Sequence, residues 1–171
     1  MLFIDKTAVP DNRWRNVTYG RIVVYYRPDK TGPYRTRLTV GGDRVNYPGD
    51  CGTPTVELTT VKLLFNRIIS KLNAKFVTID IKGFYLNTRM TQSKYMRLKL
   101  SDLPKRVVQH YNLAEKTTRD GYVYVDINQG AYGLPQAGLI AQQILEKLLN
   151  NKGYHQSDIT PGLWKHTWRP I

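Results

Sequence analysis

The sequence has few of the residues that build disulfide frameworks or metal centres. Cys51 is the only cysteine among 171 residues, which excludes a disulfide framework and a site made of several thiolates. The three histidines, His110, His155 and His166, show no metal-ligand spacing with one another or with Cys51. The scarcity of cysteine favours a reducing compartment, so we expect an intracellular protein, either cytoplasmic or nuclear.

Long hydrophobic runs are also missing. At the amino terminus only Leu2 to Ile4 form an apolar run, which is too short for the hydrophobic region of a signal peptide. No window approaches the roughly 18 apolar residues of a membrane span. Apolar residues nevertheless make up 41% of the chain and aromatic residues 11%, a composition typical of folded proteins. We expect a folded chain without a membrane segment, forming one domain or part of a larger one.

Acidic side chains are scarce relative to basic ones. Lys and Arg number 26 against 13 for Asp and Glu, giving a net charge of +13. The excess is concentrated in residues 51–118, which carry twelve basic and four acidic side chains. Such a charge is typical of proteins that bind a phosphate backbone, although a merely soluble basic protein or a ribosomal-type RNA binder would also show it.

Hydrophobic patterning predicts an α+β fold. Two β-rich stretches within residues 19–40 flank the turn-forming "PDKTGPY", which predicts a hairpin. Thr53 before Pro54 predicts the start of a helix, and apolar residues spaced three and four apart continue it to about Asn73. A second long helix is predicted to follow "LPQAG" and to stop near Gly153.

The remaining elements complete a mainly antiparallel sheet with helices packed on one face. "KFVTIDI" predicts a buried strand that ends near Asp80, and "KYMRLKL" predicts a half-exposed strand with one basic face. A short helix capped by Ser101 or Asp102 is predicted next, and then a strand in "YVYVDIN" after a turn at Asp120 and Gly121. A final strand is predicted to begin in "GLWKHTWRPI".

Asp80 is the residue that most needs a chemical explanation. A carboxylate at the end of a buried strand is costly unless it is paired, hydrogen-bonded or bound to a cation. Taken alone, a structural salt bridge with one of the many basic side chains would be the simplest explanation.

Three segments carry a resemblance to a known family. "FVTIDIKGFYLN" (residues 76–87) resembles motif A of the reverse transcriptases of copia-type retrotransposons, and "QGAYGLPQAGLIAQQILEKL" (residues 129–148) is similar to their motif B. "YRTRLTVGGDRVN" (residues 34–46) resembles the fingers segment of the same family. The blocks occur in the family's order, which implies the fingers and part of the palm of a right-hand RNA-directed DNA polymerase.

The resemblance implies a two-metal site for nucleotidyl transfer. In the family, two Mg²⁺ ions held by aspartates activate the primer's 3′ oxygen and neutralise charge on the incoming nucleotide. Asp80 matches the catalytic metal ligand of motif A, and the backbone carbonyl of Ile81 matches the main-chain ligand. Hard oxygen donors of this kind suit Mg²⁺.

Four further residues match nucleotide-binding positions. Tyr85 stands where the family has an aromatic residue that excludes a 2′-hydroxyl, so deoxynucleoside triphosphates would be selected. Gln136 matches the motif B glutamine that contacts the nucleotide, and Arg35 and Arg37 are candidates for gripping its triphosphate. The alternatives are that Phe84 or Tyr85 fills the core, that Gln136 caps a helix, and that both arginines are solvated.

A basic strand face is predicted to bind the RNA or DNA template-primer. Arg97 and Lys99 alternate with apolar residues, and Lys94 precedes them. Charges on an edge strand can equally serve only to discourage aggregation.

The resemblance does not extend to the family's Asp-Asp motif. Asp126 in "YVYVD" is followed by Ile127 and precedes motif B, whereas the family's motif C follows it. This implies a partial reverse transcriptase domain over residues 1–171, with fingers over about 1–75 and palm with an interleaved fingers segment over about 76–171. We expect the chain to be inactive without the remainder of the polymerase polyprotein. A non-catalytic basic nucleic-acid-binding module, or a degenerate relic of such an element, is the alternative.

Overall fold

The computed structural model describes residues 1–53, 55–74 and 79–168. The chain divides into two compact units: Met1–Cys51 with Gly83–Ala141, and Gly52–Lys82 with Gln142–Ile171. The predicted division near residue 75 into fingers and palm stays a prediction. In chain order the strands and helices are β1 (Leu2–Ile4), β2 (Thr18–Tyr26), β3 (Tyr34–Val40), α1 (Leu58–Ser70), β4 (Arg89–Lys99), α2 (Lys105–His110), β5 (Tyr122–Gln129), α3 (Ala137–Asn150), β6 (Tyr154–Gln156) and β7 (Trp164–His166).

The first unit is built on a five-stranded sheet in the order β1-β5-β4-β2-β3. All neighbouring strands are antiparallel except β2 and β4, which pair in parallel at Thr18 with Met96 and Tyr19 with Arg97. The predicted α+β class with a mainly antiparallel sheet is confirmed. The predicted hairpin is also confirmed, because β2 and β3 pair along seven positions.

Alternation along β4 and β5 determines the core of the first unit. Met96 and Leu98 are 0% and 2% exposed, whereas the neighbouring Lys99 is exposed, as the pattern of "KYMRLKL" predicts. The loop and helix start that follow β5 contribute smaller apolar side chains to the same core. The buried cluster consists of Val40, Val45, Met96, Leu98, Leu113, Val123, Val125, Ile127, Ala131, Leu134 and Ala137.

The predicted bounds of the first long helix are wrong. The backbone of Glu57 is still extended, with φ −66° and ψ 146°, so α1 begins after it rather than after Thr53. Extended backbone at Lys71 ends the helix, and Asn73 adopts a positive φ of 65°. No residue of α1 is buried, so its apolar stripe is not enclosed as a core-facing helix would be.

The buried strand predicted in "KFVTIDI" is wrong for the part of it that the structure describes. Residues 75–78 lie outside the described residues. Ile79, Asp80 and Ile81 belong to no strand and are exposed, with Ile79 82% exposed. A turn with positive φ at Gly83 follows directly. Among the described residues, Asp80 is therefore an exposed carboxylate that lies outside any strand.

The residue at the N-cap of α2 also differs from the prediction. Residues Leu100–Asp102 form a 3₁₀ turn, and Pro104 occupies the position before α2, so neither Ser101 nor Asp102 caps it. Proline fixes φ near the value required at a helix entrance and needs no hydrogen-bond partner for its nitrogen.

The second unit contains α1, the greater part of α3 and a small antiparallel pair. The stop predicted for α3 is confirmed, because Gly153 has φ 83° and the chain turns into β6. Strands β6 and β7 pair from Tyr154 with His166 to Gln156 with Trp164, which confirms the last predicted strand. Within the described ranges, no helix is long and apolar enough to cross a membrane.

Candidate functional site

Side chains from three separate segments meet around Tyr132 in the first unit. The guanidinium carbon of Arg37 lies 4.9 Å from the Tyr132 ring centroid and 5.7 Å from that of Tyr25. The Tyr85 ring meets Tyr132 edge-on, with centroids 6.3 Å apart. These distances are those of cation–π and aromatic pairs. We call Tyr25, Arg37, Tyr85 and Tyr132 the Tyr132 cluster.

Close backbone contacts hold the three segments together. The backbone N–H of Val40 donates to the carbonyl of Tyr132 over 2.7 Å. A Cβ on Gly133, whose φ is 92°, would collide with the carbonyl oxygen of Val40, and a Cβ on Gly130 would collide with that of Tyr85. Glycine is required at both positions because another backbone approaches where a side chain would stand. The "QGAYG" run thus positions the Tyr132 cluster.

The structure distinguishes Arg35 from Arg37, which the sequence left as alternatives. Both lie on one face of the hairpin, since Arg35 opposes Tyr25 and Arg37 opposes Val23. Arg35 is exposed, whereas the Nε of Arg37 is buried and has no hydrogen-bond partner among the described residues. Arg37 is the arginine that the fold holds in the Tyr132 cluster.

Tyr85 has the accessibility that a ligand-contacting ring needs. It is 39% exposed, whereas Phe84, with its ring centroid 5.7 Å away, is half-buried. The alternative that Tyr85 fills the core is therefore not what the structure shows.

Gln136 lies in a different setting from the Tyr132 cluster. Its side chain is 2% exposed, and its Oε1 has no hydrogen-bond partner in the part of the chain that the structure describes. It lines a pocket of about 260 Å³ together with Arg13, Lys94 and several amide side chains. We call this cavity the polar pocket. Lys94 thus lines this pocket, whereas Arg97 and Lys99 of the predicted basic strand face do not.

The residues predicted to bind Mg²⁺ belong to the second unit. Asp80 and Ile81 are both exposed. Among the described residues, no three His, Cys, Asp or Glu side chains are grouped so that they could hold a metal ion. Mg²⁺ prefers near-octahedral coordination by oxygen atoms, and the described side chains do not by themselves supply such a set of ligands for the two predicted ions. The magnesium site therefore stays a prediction.

Arginine side chains of the first unit lie over tyrosine rings, and most of these contacts were not predicted from the sequence. The Arg97 guanidinium is 4.7 Å from the Tyr122 centroid, and Arg21 and Arg44 lie 4.9 and 5.5 Å from that of Tyr19. The alternation of "YGRIV" indicated that Tyr19 and Arg21 lie on the same strand face, but no local pattern predicts that Arg44 also contacts the Tyr19 ring. Lys99 is exposed beyond Arg97 at the end of β4.

Tyr19 also donates a hydrogen bond that alters its acidity. Its hydroxyl lies 2.7 Å from Oδ1 of Asp43, and this bond raises the pKa of the phenol above its ordinary value, against the opposing effect of Arg21 and Arg44. The bond exists only while Tyr19 is protonated. Its contribution to folding is therefore complete below the ordinary tyrosine pKa of about 10 and is lost as pH rises through the raised value.

We expect Asp43→Ala to lower the pKa of Tyr19, because the acceptor of its hydrogen bond is removed while the two arginines remain. Ultraviolet difference titration measures tyrosinate formation, and Tyr19→Phe assigns the signal to this residue. Asp29→Ala, which removes an exposed acid from the hairpin turn, is the matched control. An unchanged titration in Asp43→Ala would contradict the assignment.

Comparison with known proteins does not assign the chain to a group. No family model, no curated protein and no solved structure matches it. The structure defines a mixed α+β protein with a five-stranded sheet. A function has to be argued from the Tyr132 cluster, the polar pocket and the basic surface.

Proposed function

We propose that the chain is part of the RNA-directed DNA polymerase, or reverse transcriptase, of a copia-type retrotransposon. The observation that carries the proposal is the Tyr132 cluster. Arg37, Tyr85 and Tyr132 come from the fingers-like, motif A-like and motif B-like segments respectively, and their side chains converge in one unit. A chance resemblance in three distant segments would not require these positions to meet.

The chemistry of the Tyr132 cluster suits an incoming deoxynucleoside triphosphate. The half-buried side chain of Arg37 carries a guanidinium that is held over the Tyr132 ring and suits charge-assisted hydrogen bonds to phosphate oxygens. The exposed part of the Tyr85 ring provides a surface against which the sugar would lie, and a 2′-hydroxyl would then have no room. Tyr132 keeps these two groups at a fixed separation through its contacts with both.

The surface charge supports a template-primer as the second ligand. With a net charge of +13, contacts to the nucleic-acid backbone would release counterions, so affinity would fall as salt rises. The absence of a grouped set of metal ligands among the described residues favours one alternative, a basic module that binds nucleic acid without catalysis.

The proposal is tested by comparing Arg37→Met with Arg35→Met, which remove the same charge from the same strand face. We expect Arg37→Met to weaken binding of a fluorescent deoxynucleoside triphosphate by about tenfold or more, since a hydrogen bond to a charged group contributes roughly 1.5–3 kcal/mol. Arg35→Met should change the affinity by less than about threefold, as for a solvated charge. Fluorescence anisotropy measures both.

A second arm separates the polymerase from the non-catalytic module. Tyr85→Ala should reduce the preference for deoxynucleotides over ribonucleotides, whereas a module that uses charge alone would have no preference to lose. Equal effects of the two arginine substitutions, together with no sugar discrimination in the unaltered protein, would refute the proposal. With Mg²⁺ and a primer-template, we expect no primer extension by this chain alone.

A further inference from the structure

A largely apolar cavity opens on one face of the five-stranded sheet in the first unit. Its volume is about 450 Å³, which falls in the roughly 300–1,000 Å³ range of small-molecule sites. We call it the apolar cavity. Its floor is formed by side chains of four neighbouring strands, β5, β4, β2 and β3: Ile22, Leu38, Met96, Leu98 and Val125.

The lining of the apolar cavity favours a ligand with a hydrocarbon body. Met96, Leu98 and Val125 are at most 3% exposed, so water does not reach this part of the floor. Leu103 and Val107 line the side formed by α2 and the segment before it. An apolar cavity of about 150 Å³ already admits benzene, so this larger one has room for a longer hydrocarbon. Burial of that hydrocarbon would be favourable because its apolar surface leaves water.

Lys116 places one positive charge at the edge of the apolar cavity. Among the described residues that line the cavity, it is the only one with a charged side chain. Its Nζ donates to the backbone carbonyl of Phe3 over 3.4 Å, and no acidic side chain that the structure describes pairs with it. An ammonium group has three N–H donors, so two remain for the oxygens of an anion.

We propose that the apolar cavity binds a small alkyl carboxylate. The alkyl chain lies on the floor, where the flexible Met96 side chain can adapt to it, and the carboxylate accepts hydrogen bonds from Lys116. A peptide or a nucleic acid fits less well, because its polar backbone would find no partners over an apolar floor. The cavity shares no lining residue with the polar pocket or the Tyr132 cluster, so the inference is independent of the proposed function.

The experiment is an NMR titration of protein with isotope-labelled methionine methyl groups, in which decanoate is added below its micelle concentration. Met96 lines the apolar cavity, whereas Met90, on the same strand, lines the polar pocket. We expect a saturable shift of the Met96 methyl signal with little change at Met90. Decanol, which has the same chain without the charge, should bind about fivefold more weakly, as for the loss of a partly solvated ion pair.

Substitutions separate the charge from the cavity. Lys116→Met should reduce the affinity for decanoate to that for decanol, and Lys116→Arg should restore most of it. Lys30→Met removes the same charge from the exposed loop between β2 and β3 and should change nothing. Val107→Phe should fill part of the cavity and weaken the binding of both ligands at least tenfold, while an unchanged Met90 signal shows that the fold is intact.

Equal affinities for decanoate and decanol in the unaltered protein, or equal shifts at Met96 and Met90, would refute the inference. A Met96 signal that responds to protein concentration but not to decanoate would also refute it, because a second copy of the chain would then occupy the cavity. Binding of a deoxynucleoside triphosphate, measured on the same samples, should not change in Lys116→Met. Failure of the carboxylate site therefore leaves the proposed function standing, and the reverse also holds.

Discussion

Leu98→Ala is expected to lower the free energy of unfolding of the first unit by about 2–5 kcal/mol, the range for replacing a buried leucine with alanine. Leu98 is 2% exposed and belongs to the buried cluster together with Met96 and Val123. Removing the side chain beyond its Cβ leaves a cavity that the surrounding structure fills only in part. Urea titration followed by tryptophan fluorescence measures the loss, and Trp14, whose ring packs on Tyr124, reports on this unit.

Leu2→Ala is the control for this experiment. Leu2 lies in β1 of the same sheet but is 58% exposed, so its replacement should cost far less than that of Leu98. Equal losses in the two variants would show that the buried face of β4 has been assigned incorrectly.

Gly133→Ala is expected to destabilise the first unit by about 3 kcal/mol or more. Left-handed backbone costs a residue with a Cβ about 1–2 kcal/mol, and the added atom would also collide with the carbonyl of Val40. Relief of that collision would pull apart the hydrogen bond between Val40 and Tyr132, for about 1 kcal/mol more. The Tyr132 cluster would open, so affinity for the deoxynucleoside triphosphate that we propose as its ligand should fall together with stability.

Gly121→Ala separates the cost of the left-handed backbone from the cost of the collision with Val40. Gly121 also has a positive φ, 80°, but nothing lies within 4 Å of where its Cβ would stand. It should therefore show only the conformational cost of about 1–2 kcal/mol and leave nucleotide affinity unchanged. A loss in Gly133→Ala no greater than in Gly121→Ala would mean that the close approach to Val40 does not contribute.

The strands of the first unit were predictable where alternation and turn residues agreed. The hairpin of β2 and β3 follows from two β-rich runs around a proline- and glycine-containing turn, and β5 begins directly after Gly121. The short edge strand β1 was not predicted, because three residues are too few to show a period. The extended backbone before α1 could not be predicted either, since Thr53 and Pro54 form an acceptable helix start by local rules.

The candidate site was predictable in part. Spacing from Asp80 selected Tyr85 over Phe84, and the structure leaves the Tyr85 ring more accessible. The resemblance named Gln136 but gave no sign of Arg13, which comes from a segment outside all three blocks. The strand expected to carry Asp80 is absent in its described part, because β-branched residues alone do not supply the neighbouring strands that would bury them.

The sequence by itself determined which face of β4 is apolar, where the chain turns, and the strongly basic charge, because these depend on residue type and spacing along one segment. Only the tertiary structure decided that Arg37 rather than Arg35 meets Tyr132, that Gly133 must lack a side chain, and that Gln136 shares a pocket with Arg13. Those facts arise from contacts between segments far apart in the chain, and no local pattern encodes which backbone will approach which.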